Sequence, residues 1–306
     1  MPPVIGEKTF TLPGGKVQEY VQLATESYEL DTNGSVFGYT RVNDYTKDNS
    51  DSGFRGCVFE NDNEVVIAYS GTSNMSEIVA TGCKMVAFGQ SSLPLEELDE
   101  YGELKKGDSG SNANLMEDEV PLQYQDALGL YNDVRNDPKF KGKQIVIVGH
   151  SLGGALAQIV ASTGDEEGNM PELHAVTFNA LGTKALVDKP NDNIKDFGNT
   201  YNYIIEGDQV ASVKEHPGTT ITLEKRRKHI FDFRTHSLKY FTKDNIRGIN
   251  DGTETTYASN GTLGNPFSHN PSPFASNGFI SCVMQTFRNV VSSFANFFSG
   301  KMFCQA

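Results

Sequence analysis

Gln144-Ile145-Val146-Ile147-Val148-Gly149-His150-Ser151-Leu152-Gly153-Gly154-Ala155-Leu156-Ala157 is the stretch whose reading decides the fold. It opens on a continuous β-branched run, the mark of a strand buried on both faces of a parallel sheet. From 152 to 162 the residues turn to Ala, Gly and Leu, which reads as a helix packed closely behind the strand. Between the two, Gly149-His150-Ser151-Leu152-Gly153 matches G-x-S-x-G. That pattern is weak alone, but a strand before it and a helix after it make a strand-turn-helix elbow. In such an elbow the serine sits in a strained turn with Oγ exposed above the sheet. Glycines two positions either side are needed because side chains there would collide with the adjoining strand and helix. The helix N-terminus aims its N–H groups and positive dipole end at negative charge developing on a bound group.

Outward from this centre the pattern repeats. Tyr124, Ala127, Leu128, Tyr131 and Val134 line one face of a helix over 123–135, ended by Asn136-Asp137-Pro138. Another helix is expected over 18–30. The segments 53–60 and 64–69 read as strands joined by an Asn61-Asp62-Asn63 turn, a hairpin. Further strands are expected at 175–178, 201–205 and 229–233, the last of the set. Strands alternating with helices indicate an α/β architecture with a mainly parallel central sheet flanked by helices.

Residues 251–278 are dense in Gly, Asn, Ser, Thr and Pro and read as an irregular segment. Residues 279–306 turn apolar again, with Ile280, Val283, Met284, Phe287, Val290, Val291, Phe294, Phe297 and Phe298 at helical spacing. The expected organisation is therefore a domain over 1–250, an irregular segment over 251–278, and an extra C-terminal helix over 279–306 that packs or docks a protein partner. Its polar face carries mainly Ser, Asn and Gln, which disfavours an interfacial anchor.

Composition narrows the function. The chain has 306 residues, a formal net charge of −13 and 37% hydrophobic residues. An acidic chain lacks the basic face that nonspecific nucleic-acid binding requires, so no nucleic-acid partner is expected. Mean hydropathy is −0.41, and no stretch reaches the roughly 18 apolar residues of a membrane span. Cys57, Cys83, Cys282 and Cys304 show no paired metal spacing and read as free buried thiols, with a disulfide between two of them as the alternative. No metal and no cofactor are expected. Met1-Pro2-Pro3-Val4-Ile5-Gly6-Glu7-Lys8 has no basic start followed by an apolar run, so no Sec signal peptide is expected.

A serine becomes a strong nucleophile when an imidazole takes its proton and a carboxylate fixes that imidazole's tautomer. With a G-x-S-x-G elbow, the chain order is Ser, then Asp or Glu, then His, and the acid lies in a loop just after a strand. Asp208 does so, in Glu206-Gly207-Asp208-Gln209-Val210. Glu206 is its main rival, while Asp188, Asp192 and Asp196 lie in a polar loop. For the base, His236 in Arg234-Thr235-His236-Ser237-Leu238 leaves the expected last strand. His216 reads as a turn residue before Pro217-Gly218 and His229 as the start of a strand. His174 precedes the acid, and His269 sits in the Pro-rich tail. One oxyanion donor should be the backbone N–H of Leu152, the residue after the nucleophile. His150 reads as packing.

The segment from Ile145 to Ala157 resembles the central signature of the class 3 (fungal-type) lipases, as do the preceding helix and Tyr69-Ser70-Gly71-Thr72. The resemblance covers about 20–241. It implies an α/β-hydrolase fold and a serine carboxylic-ester hydrolase acting on lipids, of lipase or phospholipase A1 type. It implies Ser151, Asp208 and His236 as the catalytic set, the last two supported by the Asp-x-Val step and the His-Ser-Leu-x-Tyr segment. It also implies Thr72 as the second oxyanion donor. Family members often carry Arg before that glycine, where this chain has Ser70.

Such lipases place a lid after the oxyanion strand, and 74–119 occupies that position. A surface excursion with its own small core is the other reading, and the length of the segment favours the lid. Lys225-Arg226-Arg227-Lys228 reads as a solvated strand edge, with a phospholipid headgroup contact as the alternative. The expected partner is a lipid or ester substrate at a membrane or micelle surface. The alternatives are an esterase or acyltransferase for small soluble esters, or a non-catalytic hydrolase-fold binding or toxin component. Location is left between the cytoplasm and export without a signal peptide, the route of bacterial lipase effectors that resemble this family.

Overall fold

The computed structural model describes residues 16–30, 34–72, 114–115, 118–163, 173–189, 194–195, 198–208, 210–212, 214–226, 233–242 and 245. Most of the segment 74–119 expected to form a lid, the segment 251–278 expected to be irregular, the helix expected over 279–306, and Cys83, Cys282 and Cys304 lie outside these residues. The chain divides into two compact units at Gly261, and every described residue belongs to the first.

Among the described residues, nine strands form one sheet in the order β1-β2-β4-β5-β6-β7-β8-β9, with β3 also paired to β4. The antiparallel part comprises β1 (Ser35–Val36), β2 (Tyr39–Arg41), β3 (Lys47–Asn49), β4 (Phe54–Glu60) and β5 (Glu64–Tyr69). From β5 onward the pairing is parallel, through β6 (Gln144–His150), β7 (Leu173–Phe178), β8 (Thr200–Ile205) and β9 (Thr219–Leu223). The hairpin turn is closed by Asn61, whose Oδ1 accepts the N–H groups of Asn63 and Glu64 at 2.9 Å each.

The helices are α1 (Val17–Glu26), α2 (Tyr124–Asn136), α3 (Leu152–Ala161) and the short α4 (Lys184–Val187). Two cores cover the two faces of the sheet. Ile147 of β6 joins Val65, Ile67 and Tyr69 of β5 against Ala127, Leu130 and Val134 of α2 and Leu156 and Ile159 of α3. Val146 and Val148 join Val66 and Ala68 against Tyr20, Leu23 and Ala24 of α1. The alternation follows from the two-residue period of a strand. It explains the unbroken apolar run in β6, since both sets of side chains find an apolar partner. Each such aliphatic side chain contributes roughly 1.5–3 kcal/mol by leaving water.

The strand expected over 229–233 falls on residues 229–232, which lie outside the described residues, and on Phe233, which opens a 3-10 turn, Phe233–His236. The last described strand is β9, which carries Thr at three of its five positions and so gives little apolar signal.

The parallel half of the sheet aligns three loops at one end. β5 leads into Gly71-Thr72, β6 into Ser151, and β8 into Asp208. Loops at the carboxyl ends of parallel strands are where open α/β sheets present reactive groups. At the opposite end of β5, Glu64 is buried. It accepts hydrogen bonds from the phenols of Tyr20 (3.3 Å) and Tyr39 and pairs with Lys16 Nζ at 2.9 Å.

Candidate active site

Ser151 takes φ 56° and ψ −125°, a conformation that costs a non-glycine residue about 1–3 kcal/mol. The surrounding backbone holds it there: Ser151 N–H donates to Phe178 O at 3.2 Å, and Ser151 O accepts from Ala155 N–H at 3.1 Å. The flanking glycines are required by contact. A Cβ at Gly149 would stand 2.3 Å from Gly153 O, and a Cβ at Gly153 would stand 2.3 Å from Tyr69 O. This close approach lets the strand turn directly into α3 with the serine at the corner.

His236 Nε2 lies 3.0 Å from Ser151 Oγ, and its Nδ1 lies 3.0 and 3.2 Å from the two carboxylate oxygens of Asp208. An ionised carboxylate only accepts, so Nδ1 carries the proton and Nε2 presents its lone pair to the serine hydroxyl. Ser151, Asp208 and His236 are all buried. Of the rival acids, Glu206 and Asp188 are exposed, and Asp192 and Asp196 lie outside the described residues.

The acid loop is braced from below. Asp208 N–H donates to Ile205 O at 2.9 Å, and Asp208 Oδ1 accepts Ala211 N–H at 2.8 Å. Ala211 O in turn accepts from His216 Nε2 at 2.9 Å, which leaves His216 Nδ1 to accept from Gln158 Nε2 at 3.0 Å. Burial pushes the His216 imidazole down to about 4, so it stays neutral in this role. Gln158 also donates to Asn202 Oδ1 at 3.0 Å and accepts from Thr183 Oγ1 at 2.7 Å, tying α3 to β8 and to the loop after β7. His216 is therefore more than a turn residue.

His236, the expected base, is held by a residue that the sequence did not mark. Asn179, at φ 44°, donates from Nδ2 to Thr235 O at 2.6 Å and accepts Ile205 N–H on Oδ1 at 2.9 Å. One side chain thus fixes both the residue before His236 and the end of β8. Lys225 also differs from its reading as a solvated edge. It is buried, and a Cβ on Gly207 in the acid loop would stand 3.2 Å from its Nζ.

On the oxyanion side, Leu152 opens α3, where an amide N–H has no carbonyl one turn back to bond. A Cβ on Gly71 would stand 3.0 Å from Ser151 Cβ, so the Gly71-Thr72 segment runs directly beside Ser151. Thr72 is buried. Ser70, standing where family members often have Arg, donates from Oγ to Ser27 O at 2.5 Å and anchors the segment to the end of α1. His150 is buried and bonded on both ring nitrogens, to Tyr28 and to the His236 backbone. Tyr28, Asn179 and Gln158 lie in no short motif, and the sequence separation of their partners hid their roles, as it hid the bracing role of His216.

Among the described residues no group of three or more His, Cys, Asp and Glu side chains could hold a metal ion, and no helix is long and apolar enough to cross a membrane. Cys57 is a buried free thiol, pushed up to about 12 by burial.

The sheet, its two helical layers and the elbow define an α/β-hydrolase fold. The phospholipase-like model of the Tle-like phospholipase domain matches residues 22–226, and the chain belongs to this family. It is accordingly a carboxylic ester hydrolase of lipids. Among solved structures it is similar to a triacylglycerol lipase from Penicillium expansum, at 16% identity over 69% of this chain and 80% of that one, with a TM-score of 0.45. It is also similar to the Lip2 lipase from Yarrowia lipolytica, at 14% identity over 71% of this chain and 80% of that one, with a TM-score of 0.41. No curated protein matches the chain.

Proposed function

We propose that the chain cleaves acyl esters of phospholipids through an acyl-Ser151 intermediate. The observation that carries this reading is the unbroken chain from Ser151 Oγ through His236, at 3.0 Å, to Asp208. As Ser151 Oγ attacks the ester carbonyl carbon, its proton passes to His236 Nε2, and Asp208 stabilises the imidazolium that forms. The negative charge on the carbonyl oxygen is received by the backbone N–H groups of Leu152 and Thr72. Losing one such donor typically costs about 3 kcal/mol of transition-state stabilisation. Collapse of the intermediate breaks the bond to the alcohol, which leaves as a lysophospholipid with the proton from His236. Water, deprotonated by His236, then releases the fatty acid and restores Ser151.

The test is fatty-acid release from phosphatidylcholine vesicles, triacylglycerol emulsions and p-nitrophenyl butyrate, by wild type and Ser151→Ala. The expected result is release from phospholipid that exceeds release from triacylglycerol and is lost in Ser151→Ala. Release from triacylglycerol or the short ester alone would replace the phospholipid reading. Release that survives the substitution would end the acyl-serine one.

A further inference from the structure

We propose that Tyr28 and His150 form a positioning brace that sets the oxyanion loop and the base loop relative to each other. This role rests on the acyl-Ser151 reading. Three hydrogen bonds compose the brace: Gly71 N–H to Tyr28 Oη at 3.0 Å, Tyr28 Oη to His150 Nδ1 at 2.7 Å, and His150 Nε2 to His236 O at 2.5 Å.

Their directions follow from chemistry. The His236 carbonyl oxygen only accepts, so His150 Nε2 carries a proton. Burial, reinforced by neighbouring His236, pushes the His150 imidazole down to about 3, so the ring is neutral and Nδ1 is an acceptor. Tyr28 O–H therefore donates to Nδ1, and its oxygen accepts Gly71 N–H. Every donor then meets an acceptor in one arrangement, running from the oxyanion loop to the base.

The geometry is tight at both ends. A Cβ on Gly71 would stand 2.5 Å from His150 O and 2.6 Å from Tyr28 Oη, so the loop lies flat against both residues. Gly71 directly precedes Thr72, and the His236 carbonyl belongs to the residue whose ring faces Ser151. His150 directly precedes Ser151, and its ring centroid is 4.8 Å from that of His236. Releasing the phenol thus frees an oxyanion donor and a base at once, although neither Tyr28 nor His150 is needed to exchange a proton with substrate. A ring that merely fills space would need no hydroxyl at position 28.

Tyr28→Phe keeps the ring and removes only the link, so it separates positioning from packing. The assay is p-nitrophenyl butyrate hydrolysis, the rate of inactivation by diethyl p-nitrophenyl phosphate, and thermal unfolding. The brace predicts that Tyr28→Phe lowers both kcat and the inactivation rate by roughly tenfold to a hundredfold, with KM within about twofold, while the protein stays folded at assay temperature. His150→Gln keeps an N–H for the His236 carbonyl but not the ring nitrogen for Tyr28, and should retain more kcat than His150→Ala. The Tyr28→Phe/His150→Gln double variant should lose little more than its worse single parent, because both break one linkage. Wild-type kcat in Tyr28→Phe, or fully multiplying losses in the double variant, would overturn the brace. Ser151→Ala separates the two claims. Hydrolysis surviving in it removes the acyl-serine reading and this role together, whereas hydrolysis lost in it but normal in Tyr28→Phe removes the brace alone.

Discussion

At the residue scale, the arrangement around Ser151 trades local strain for reach. A serine at φ 56° is held by contacts made through Gly149 and Gly153, and it leaves Oγ 3.0 Å from His236 Nε2. Asp208 sits under the imidazole and accepts from both His236 Nδ1 and Ala211 N–H. Asp208→Asn should preserve the fold but favour the wrong imidazole tautomer. The expected fall in kcat is on the order of 10³–10⁴, measured on a soluble ester with unfolding followed in parallel. A loss below tenfold would mean that another group orients the base. Ser151, Asp208 and His236 could be nominated from one motif and from their order along the chain. Tyr28 could not, because its partner His150 is 122 residues away and a lone tyrosine after a helix looks like any other.

At the element scale, strands with unbroken or alternating apolar character were legible, and short or polar ones were not. β5 and β6 are buried along nearly their whole length and show it in Val, Ile and Ala. β1 to β3 have two or three residues each, too few to show a period; β2 and β3 pair with β4, and β1 pairs with β2. β9 is rich in threonine and gives little apolar signal, so the sequence does not mark it as a strand. The buried Glu64 was equally invisible, since its two tyrosines and Lys16 come from other elements. Glu64→Ala would leave the Tyr20 and Tyr39 phenols without their acceptor at the start of β5. A stability loss of about 1–3 kcal/mol is expected by urea unfolding, with kcat at low temperature unchanged, because the site is at the other end of the strand. A kcat loss without a stability loss would contradict this division of labour.

At the scale of the whole molecule, acidity has two readable effects. Unfolded imidazoles titrate near 6.5, whereas burial holds His150 at about 3 and His216 at about 4. Between those limits the unfolded chain binds protons that the native chain refuses. Their contribution is therefore complete above pH 6.5, declines as pH falls below it, and is fully lost once pH has fallen through about 4 for His216 and about 3 for His150. Each can contribute a slope of up to about 1.4 kcal/mol per pH unit. His216→Gln should flatten the decline in urea midpoint between pH 6.5 and 4, and an unchanged slope would refute its buried neutral state. The net charge of −13 also opposes approach to an anionic bilayer. Phosphatidylcholine vesicles should thus be hydrolysed faster than phosphatidylglycerol vesicles at low salt. That gap should close near physiological ionic strength, where screening acts over about 8 Å. A gap that is absent or reversed at low salt would mean that local basic groups govern the approach.

The central claim is that Ser151 is the nucleophile, and its most direct measurement is covalent capture. The protein would be treated with diethyl p-nitrophenyl phosphate, digested with trypsin, and the peptides weighed while phospholipid hydrolysis is followed. One diethylphosphoryl group should appear on the peptide that runs from Gln144 to Lys184, localised to Ser151, and activity should disappear in proportion to it. Label on another residue, or full hydrolysis by a protein fully labelled at Ser151, would contradict the account.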